Sequence, residues 1–243
     1  MGRYWELDVG RGIAILLMIG YHVLFQLSFF APELVPWFNP YILTGAPIAF
    51  LFVTIAGISL ILFTAREDSL PAAAKKMFVR GIYILCFAAG ITAASWLIFP
   101  AETIVFGILH LIGCATILAT PFVVLKIRPL ITFVTGLVVI AISPLLAWVR
   151  GPAFLIPLGI QPVGFATLDY EPLIPWFGVL LLGVAAGSVL YAGGVRCRTL
   201  ERLGEMPKAA LPVAYLGRHS LLIYLIHNPI IFMVLFVAGF VSV

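Results

Sequence analysis

The stretch that decides the fold is Val9–Phe30, VGRGIAILLMIGYHVLFQLSFF, an apolar run interrupted by Arg11, Tyr21, His22, Gln26 and Ser28. As a helix it reaches roughly 33 Å, enough to cross a hydrocarbon core of about 30 Å. Six more runs of similar character follow: Ile42–Phe63, Phe78–Phe99, Ile104–Leu125, Leu130–Val149, Leu173–Ala192 and Leu216–Phe240. Over 243 residues, 63% are apolar and only 10% charged, and the mean hydropathy is +1.18. A soluble domain of this length needs far more polar surface. The expectation is an all-α integral membrane protein, a bundle of about seven transmembrane helices forming a single domain over residues 1–243 in the cell membrane.

Charge orients it. Arg3, Arg11, the group Arg66, Lys75, Lys76 and Arg80, the pair Lys126 and Arg128, and the group Arg196, Arg198, Arg202, Lys208 and Arg218 fall on one side of the seven-span map. Arg150 falls on the other, with Glu33, Glu102, Asp169 and Glu171. The positive-inside rule then places the N-terminus in the cytoplasm and the C-terminus outside. The first run is too long for a cleaved signal and lacks a small-residue cleavage site, so it is expected to stay. Cys86, Cys114 and Cys197 imply neither a disulfide framework nor a metal site, and nothing points to nucleic acid. There is no internal repeat. Pro47, Pro121, Pro144 and Pro229 fall inside the runs, where each removes a backbone hydrogen bond and can kink or break a helix.

Ionisable groups within a membrane need a compensating reason. Arg11 and His22 are eleven residues apart, which brings them to within about 20° of one helix face, roughly 16 Å apart along it. Gln26 lies one turn further. In the last run Ser220, Tyr224 and His227 step by four and three and share a face, with Asn228 beside them and Arg218-His219 before them. His110 lies about two turns below the outer surface with Cys114 one turn deeper. Three histidines at comparable depth suggest a shared polar cavity; hydrogen bonds between packed helices are the alternative, as is an ion-pair cluster of Arg11 with Glu6 and Asp8.

Four segments resemble the small prokaryotic members of the heparan-alpha-glucosaminide N-acetyltransferase-like membrane family. They are Arg3–Gly12 with Tyr21-His22, Phe106–Gly113, Asp169–Pro172 with Pro175-Trp176, and Leu216–Ser220 through Tyr224–Pro229. The Arg11-to-His22 spacing is also similar to the Arg-x10-His signature of the acyltransferase-3 family. The resemblance implies transfer of an acyl group, typically acetyl, from cytoplasmic acyl-CoA to a hydroxyl or amine of a sugar-containing or lipid-linked acceptor on the far side. The lysosomal enzyme that names the family is longer and carries its catalytic histidine beyond the first helix. Here the next polar residues after His22 are Gln26 and Ser28, so the role of base falls to His22 through the acyltransferase-3 likeness, with His227 and Tyr224 beside it.

A neutral imidazole can take the proton of an attacking hydroxyl or amine. Direct transfer and an acyl-histidine intermediate both fit, and direct transfer is favoured because nothing obvious deacylates an intermediate. Arg11, Lys75, Lys76, Arg80 and Arg218 are the candidates for the phosphates of CoA, although cytoplasmic loops are basic for topology alone. His110, Asp169, Tyr170, Glu171 and Gln26 are the candidates for the acceptor, and the loop residues among them could instead cap the bundle. No metal is expected. A bis-histidine haem protein using His22 with His110 or His227 stays open, as do a transporter and self-association into a homo-oligomer. Because the topology follows from charge and span count, a reporter fused after Val243 is expected to be active only outside the cytoplasm. Cytoplasmic activity would break the count.

Overall fold

The computed structural model describes residues 4–40, 42–65 and 67–240. Arg3 and Arg66, used in the charge pattern, lie outside the described residues. Among the described residues ten α-helices run in the order α1 Trp5–Phe30, α2 Ala46–Thr64, α3 Leu70–Ile98, α4 Ile108–Leu118, α5 Thr120–Val124, α6 Pro129–Leu146, α7 Leu173–Leu190, α8 Arg198–Glu201, α9 Leu211–Arg218 and α10 Ser220–Val237. The described residues contain no strand, only two isolated bridges. Six helices of the described residues, α1, α2, α3, α6, α7 and α10, are long and apolar enough to cross a membrane. Large apolar side chains such as Trp96, Leu97, Leu130, Leu145 and Val237 stand exposed along them. Such a surface is stable in hydrocarbon and not in water.

The run Ile104–Leu125 departs from a single expected span. It is an 11-residue helix, α4, followed at Ala119 by the five residues of α5. Pro121 has no N–H to continue the α4 ladder, and its ring crowds the carbonyl four residues back, so the helix restarts there. At the other end Phe106 is drawn into a bridge with Tyr170, and its carbonyl accepts from the Glu171 N–H at 3.0 Å. The first residues of the run are therefore extended rather than helical. Of the other prolines, Pro144 and Pro229 sit inside α6 and α10, and Pro47 falls at the start of α2.

The helices gather into two compact units, Met1–Phe52 with Leu203–Val243, and Val53–Arg202. In the first, α1 lies along α9 and α10. Contacts advance together along both partners: Gly12 meets Val213 and Gly217, His22 meets His227, Gln26 meets Asn228, and Phe30 meets Phe232. The two segments thus run parallel. A Cβ at Gly12 would collide with the Val213 carbonyl, and one at Gly217 with the Asp8 carbonyl. Backbone lies directly on backbone there, the close approach that small residues permit between membrane helices. Further along, Ile19, Val23, Leu27 and Phe30, spaced at three and four, pack around Ile231 and Leu235.

In the second unit, α7 is the central helix, with Val179, Leu180, Leu181, Val184 and Ala185 all buried. Its core partners include Val53 and Leu60 of α2, Met77 of α3 and Leu111 of α4. The α2–α7 crossing depends on Gly57 and Gly183: a Cβ at Gly183 would strike the Thr54 carbonyl, and one at Gly57 the Leu180 carbonyl. Gly183→Val is therefore expected to cost about 1–3 kcal/mol through overpacking, read as a lowered melting temperature in detergent. Gly90→Ala, where a Cβ meets nothing within 4 Å, should leave melting essentially unchanged. Equal losses in both variants would contradict this packing.

Candidate functional site

Asp8 stands on the first turn of α1, one residue before the first apolar run, yet it is 2% exposed. Its carboxylate accepts from Arg11 Nη1 at 2.8 Å and from Arg218 Nε at 3.2 Å. Arg11 lies one turn along the same helix, and Arg218 ends α9, which the Gly12–Gly217 crossing holds against α1. A buried carboxylate without a partner is strongly destabilising, so two guanidinium groups are drawn to this point. The structure thus brings together Arg11 and Arg218, both sequence candidates. It also makes Asp8 their hub, a role signalled in the sequence only by its spacing of three from Arg11.

Ten residues further along each segment from the glycine crossing stand His22 and His227. Their rings meet edge to face, centres 4.8 Å apart and planes at 74°. His22 Nδ1 lies 2.8 Å from the Met18 carbonyl, and His227 Nδ1 lies 2.6 Å from the Tyr224 carbonyl. A carbonyl can only accept, so each Nδ1 carries a hydrogen and each neutral ring has its lone pair on Nε2. His227 is 5% exposed, and its Nε2 has no hydrogen-bond partner among the described residues. The Tyr224 ring lies 5.6 Å from that of His227. One turn on, Gln26 Nε2 donates to Asn228 Oδ1 at 3.3 Å while Gln26 Oε1 stays buried and unpaired among the described residues. Aromatic packing of Tyr21 on Phe25, Phe38 and His22 closes one flank.

This seam has the chemistry of a proton-accepting site. It offers imidazole lone pairs and an amide oxygen where a ligand would have to bring hydroxyl or amine hydrogens. It does not suit haem. Ligating one iron from both sides would set the ring centres roughly 6 Å apart, and this pair is closer.

The other candidates belong to the second unit. His110 Nδ1 accepts from the Gly107 N–H at 3.3 Å, and its Nε2 lies 3.2 Å from Thr92 Oγ1. Thr92 itself donates to the Ile104 carbonyl at 2.7 Å, so its oxygen accepts from the imidazole. Both nitrogens of His110 are thereby engaged in holding the start of α4. Beside it, Thr92, Trp96, Val105 and His110 line part of an open recess of about 410 Å³. Asp169 Oδ2 accepts from the Ile108 N–H at 3.1 Å, capping the same helix. The Tyr170 hydroxyl donates to the Ile156 carbonyl at 2.8 Å, and burial pushes its phenol up. Thr92, which joins α3 to this loop, escaped the sequence reading because an isolated threonine in an apolar run carries no pattern.

The Glu171 side chain makes no hydrogen bond within the described residues. Burial, reinforced by the Asp169 charge, pushes its carboxyl up to about 8. Lys75 is exposed, Lys76 is paired with Glu67 at 2.7 Å, and Lys76 and Arg80 both lie over the Phe63 ring.

Because Glu171 keeps its proton in the folded state above its ordinary value of 4.5, the folded chain binds more protons than the unfolded one up to about 8. Its contribution to stability is therefore complete at low pH and lost as pH rises across that interval. Melting temperatures measured across it should fall less steeply for Glu171→Gln than for the parent. An identical slope would show that Glu171 does not carry this dependence.

No curated protein and no solved structure matches the chain. Residues 3–229 do match the sequence model of a family described as heparan-alpha-glucosaminide N-acetyltransferase, catalytic. That match covers every helix described above except the last turns of α10, and it takes in Asp8, Arg11, His22, Arg218 and His227. By that match the chain belongs to the heparan-alpha-glucosaminide N-acetyltransferase catalytic family, as a multi-helix membrane transferase.

Proposed function

We propose that the protein transfers an acyl group, acetyl by family, from acyl-CoA on the cytoplasmic side to a hydroxyl or amine of a sugar-containing acceptor on the other side. The observation that carries this reading is the His22–His227 pair, with lone pairs on Nε2 in a buried seam of a chain from an acetyltransferase family. His22, half-buried, removes the proton from the acceptor as its oxygen or nitrogen attacks the thioester carbon. The carbon–sulfur bond then breaks, and the proton returns from the imidazolium to the departing thiolate. Gln26 offers its buried oxygen to a second donor on the acceptor.

Seven crossings with the C-terminus outside are supported by the parallel course of α1 and α10. First and last helices that cross in the same direction are separated by an even number of reversals, so the total count of crossings is odd. Six long helices alone would set them antiparallel, and the broken segment α4–α5 supplies the seventh crossing. The phosphates of CoA then meet Arg11 and Arg218 at the N-terminal end of the seam, where Asp8 holds both guanidinium groups in place. Lys75, Lys76 and Arg80, the other candidates for the donor, belong to the second unit. Asp169, Tyr170, Glu171 and His110, the other candidates for the acceptor, belong to the second unit, where Asp169 and His110 hold the start of α4.

A general base contributes about 10²–10⁴-fold. His22→Ala is accordingly expected to lower kcat by that order with donor affinity preserved, and Arg11→Ala to raise the apparent KM for acyl-CoA. Steady-state transfer kinetics with a direct CoA-binding assay measure both. Normal turnover by the His22 variant removes it as the base, and unchanged CoA binding in the Arg11 variant reduces that arginine to a partner of Asp8.

A further inference from the structure

The chain that leaves α6 is apolar where a water-borne loop needs polar side chains. From Trp148 to Val163, WVRGPAFLIPLGIQPV, only Arg150 and Gln161 carry polar side chains, and no ionisable residue falls between Arg150 and Asp169. The segment nevertheless has a defined structure. Ala153–Leu158 form a 3-10 helix that ends at Gly159 in the left-handed conformation, and the Gly151 N–H donates to the Gln161 carbonyl at 3.2 Å. Ile156 is 4% exposed in the core of the second unit, and its carbonyl accepts from the Tyr170 hydroxyl. At about 120° per residue, Phe154 and Leu158 fall to either side of that buried face. Phe154 is thereby held outward at 76% exposure, and Trp148 and Val163 stand out at 89% each.

Two features point to what covers these side chains. One is continuity. Leu130, Val134, Val138, Ile142 and Leu145, at steps of four and three, form an exposed stripe along α6, which in a membrane-crossing helix faces hydrocarbon. Trp148 prolongs that stripe by one further step. The other is a backbone suited to low polarity. Pro152, Pro157 and Pro162 have no N–H to solvate, and the N–H groups of Leu155, Gly159, Ile160 and Phe165 bond to carbonyls close by in the chain. Arg150 stands at the junction, exposed, with Nη1 donating to the Ala147 carbonyl at 3.2 Å. A guanidinium beside exposed aromatic rings is the composition of the headgroup layer, where rings meet acyl chains and cations meet phosphates.

We infer that Trp148–Val163 is an interfacial element, lying in the lipid surface at the end of α6 with Trp148, Phe154 and Val163 against acyl chains and Arg150 among the phosphates. The inference is independent of the acyl-transfer reading. Lipid is the occupant because the stripe that the segment prolongs already faces lipid.

The test places the full-length protein in phosphatidylcholine nanodiscs, which leave both faces open to water, and adds one tryptophan as Phe154→Trp or Val163→Trp. The emission gained over the parent should be blue-shifted, largely lost when the acyl chains carry bromine, and little changed by iodide in the water. Melting temperatures should match the parent's, since both side chains point away from the core. If either variant melts lower, the parent and Trp148→Phe decide instead: the emission removed by that substitution should be a bromine-quenched part. Quenching by iodide and not by bromine would make the segment a water-borne loop and overturn the inference. Shielding from both quenchers would also overturn it, by showing protein cover such as a second copy of the chain.

Discussion

The interaction on which the first unit depends is the buried carboxylate of Asp8 held between Arg11 and Arg218 at the point where Gly12 and Gly217 bring two backbones into contact. Neither feature suffices alone. The glycines allow close approach at many registers, and the charges could pair across many geometries in water. Together they select one, because sliding α9 along α1 would leave a carboxylate unpaired and set a side chain against a carbonyl. From that anchor both segments advance ten residues to a histidine, despite the break at His219 between α9 and α10. The meeting of His22 with His227 is thus a consequence of the anchor rather than of any attraction between the rings.

Much of this was legible in the sequence, for identifiable reasons. Apolar runs of membrane-spanning length mark six helices, with ends that differ by up to eight residues, as at the start of α3, because polar and charged residues that flank a run can still be helical. The helical spacing of Arg11, His22 and Gln26, and of Ser220, Tyr224 and His227, places polar stripes on α1 and α10. It does not say that the two stripes face each other, because α1 and α10 lie about two hundred residues apart and no local pattern encodes their register. Nor does Asp8 stand out: an acid beside Arg11 at a helix start looks like an ordinary interfacial pair until Arg218 arrives from the far end of the chain.

The fourth run shows how tertiary structure overrides length. Ile104–Leu125 has the composition of a span, yet Pro121 divides its helix and the Asp169–Glu171 segment draws its first residues into extended pairing. Asp169 caps α4 and Tyr170 reaches back to Ile156, so much of the polar character of that loop serves its own architecture. Glu171 differs, with a carboxyl raised by burial and no hydrogen bond among the described residues. His110 has the type and depth of a site residue, but both its nitrogens are occupied, a distinction that only hydrogen-bond partners can draw.

The central claim is that a proton-accepting seam in a membrane protein of this family serves acyl transfer. The most direct measurement is made on the protein reconstituted in sealed vesicles, with acetyl-radiolabelled CoA on one side and an amino sugar or a sugar with free hydroxyls on the other. The account predicts label covalently attached to the sugar, at a rate that saturates with both substrates and depends on the protein. Label that remains on CoA while unmodified sugar crosses the membrane would contradict it and identify a carrier instead.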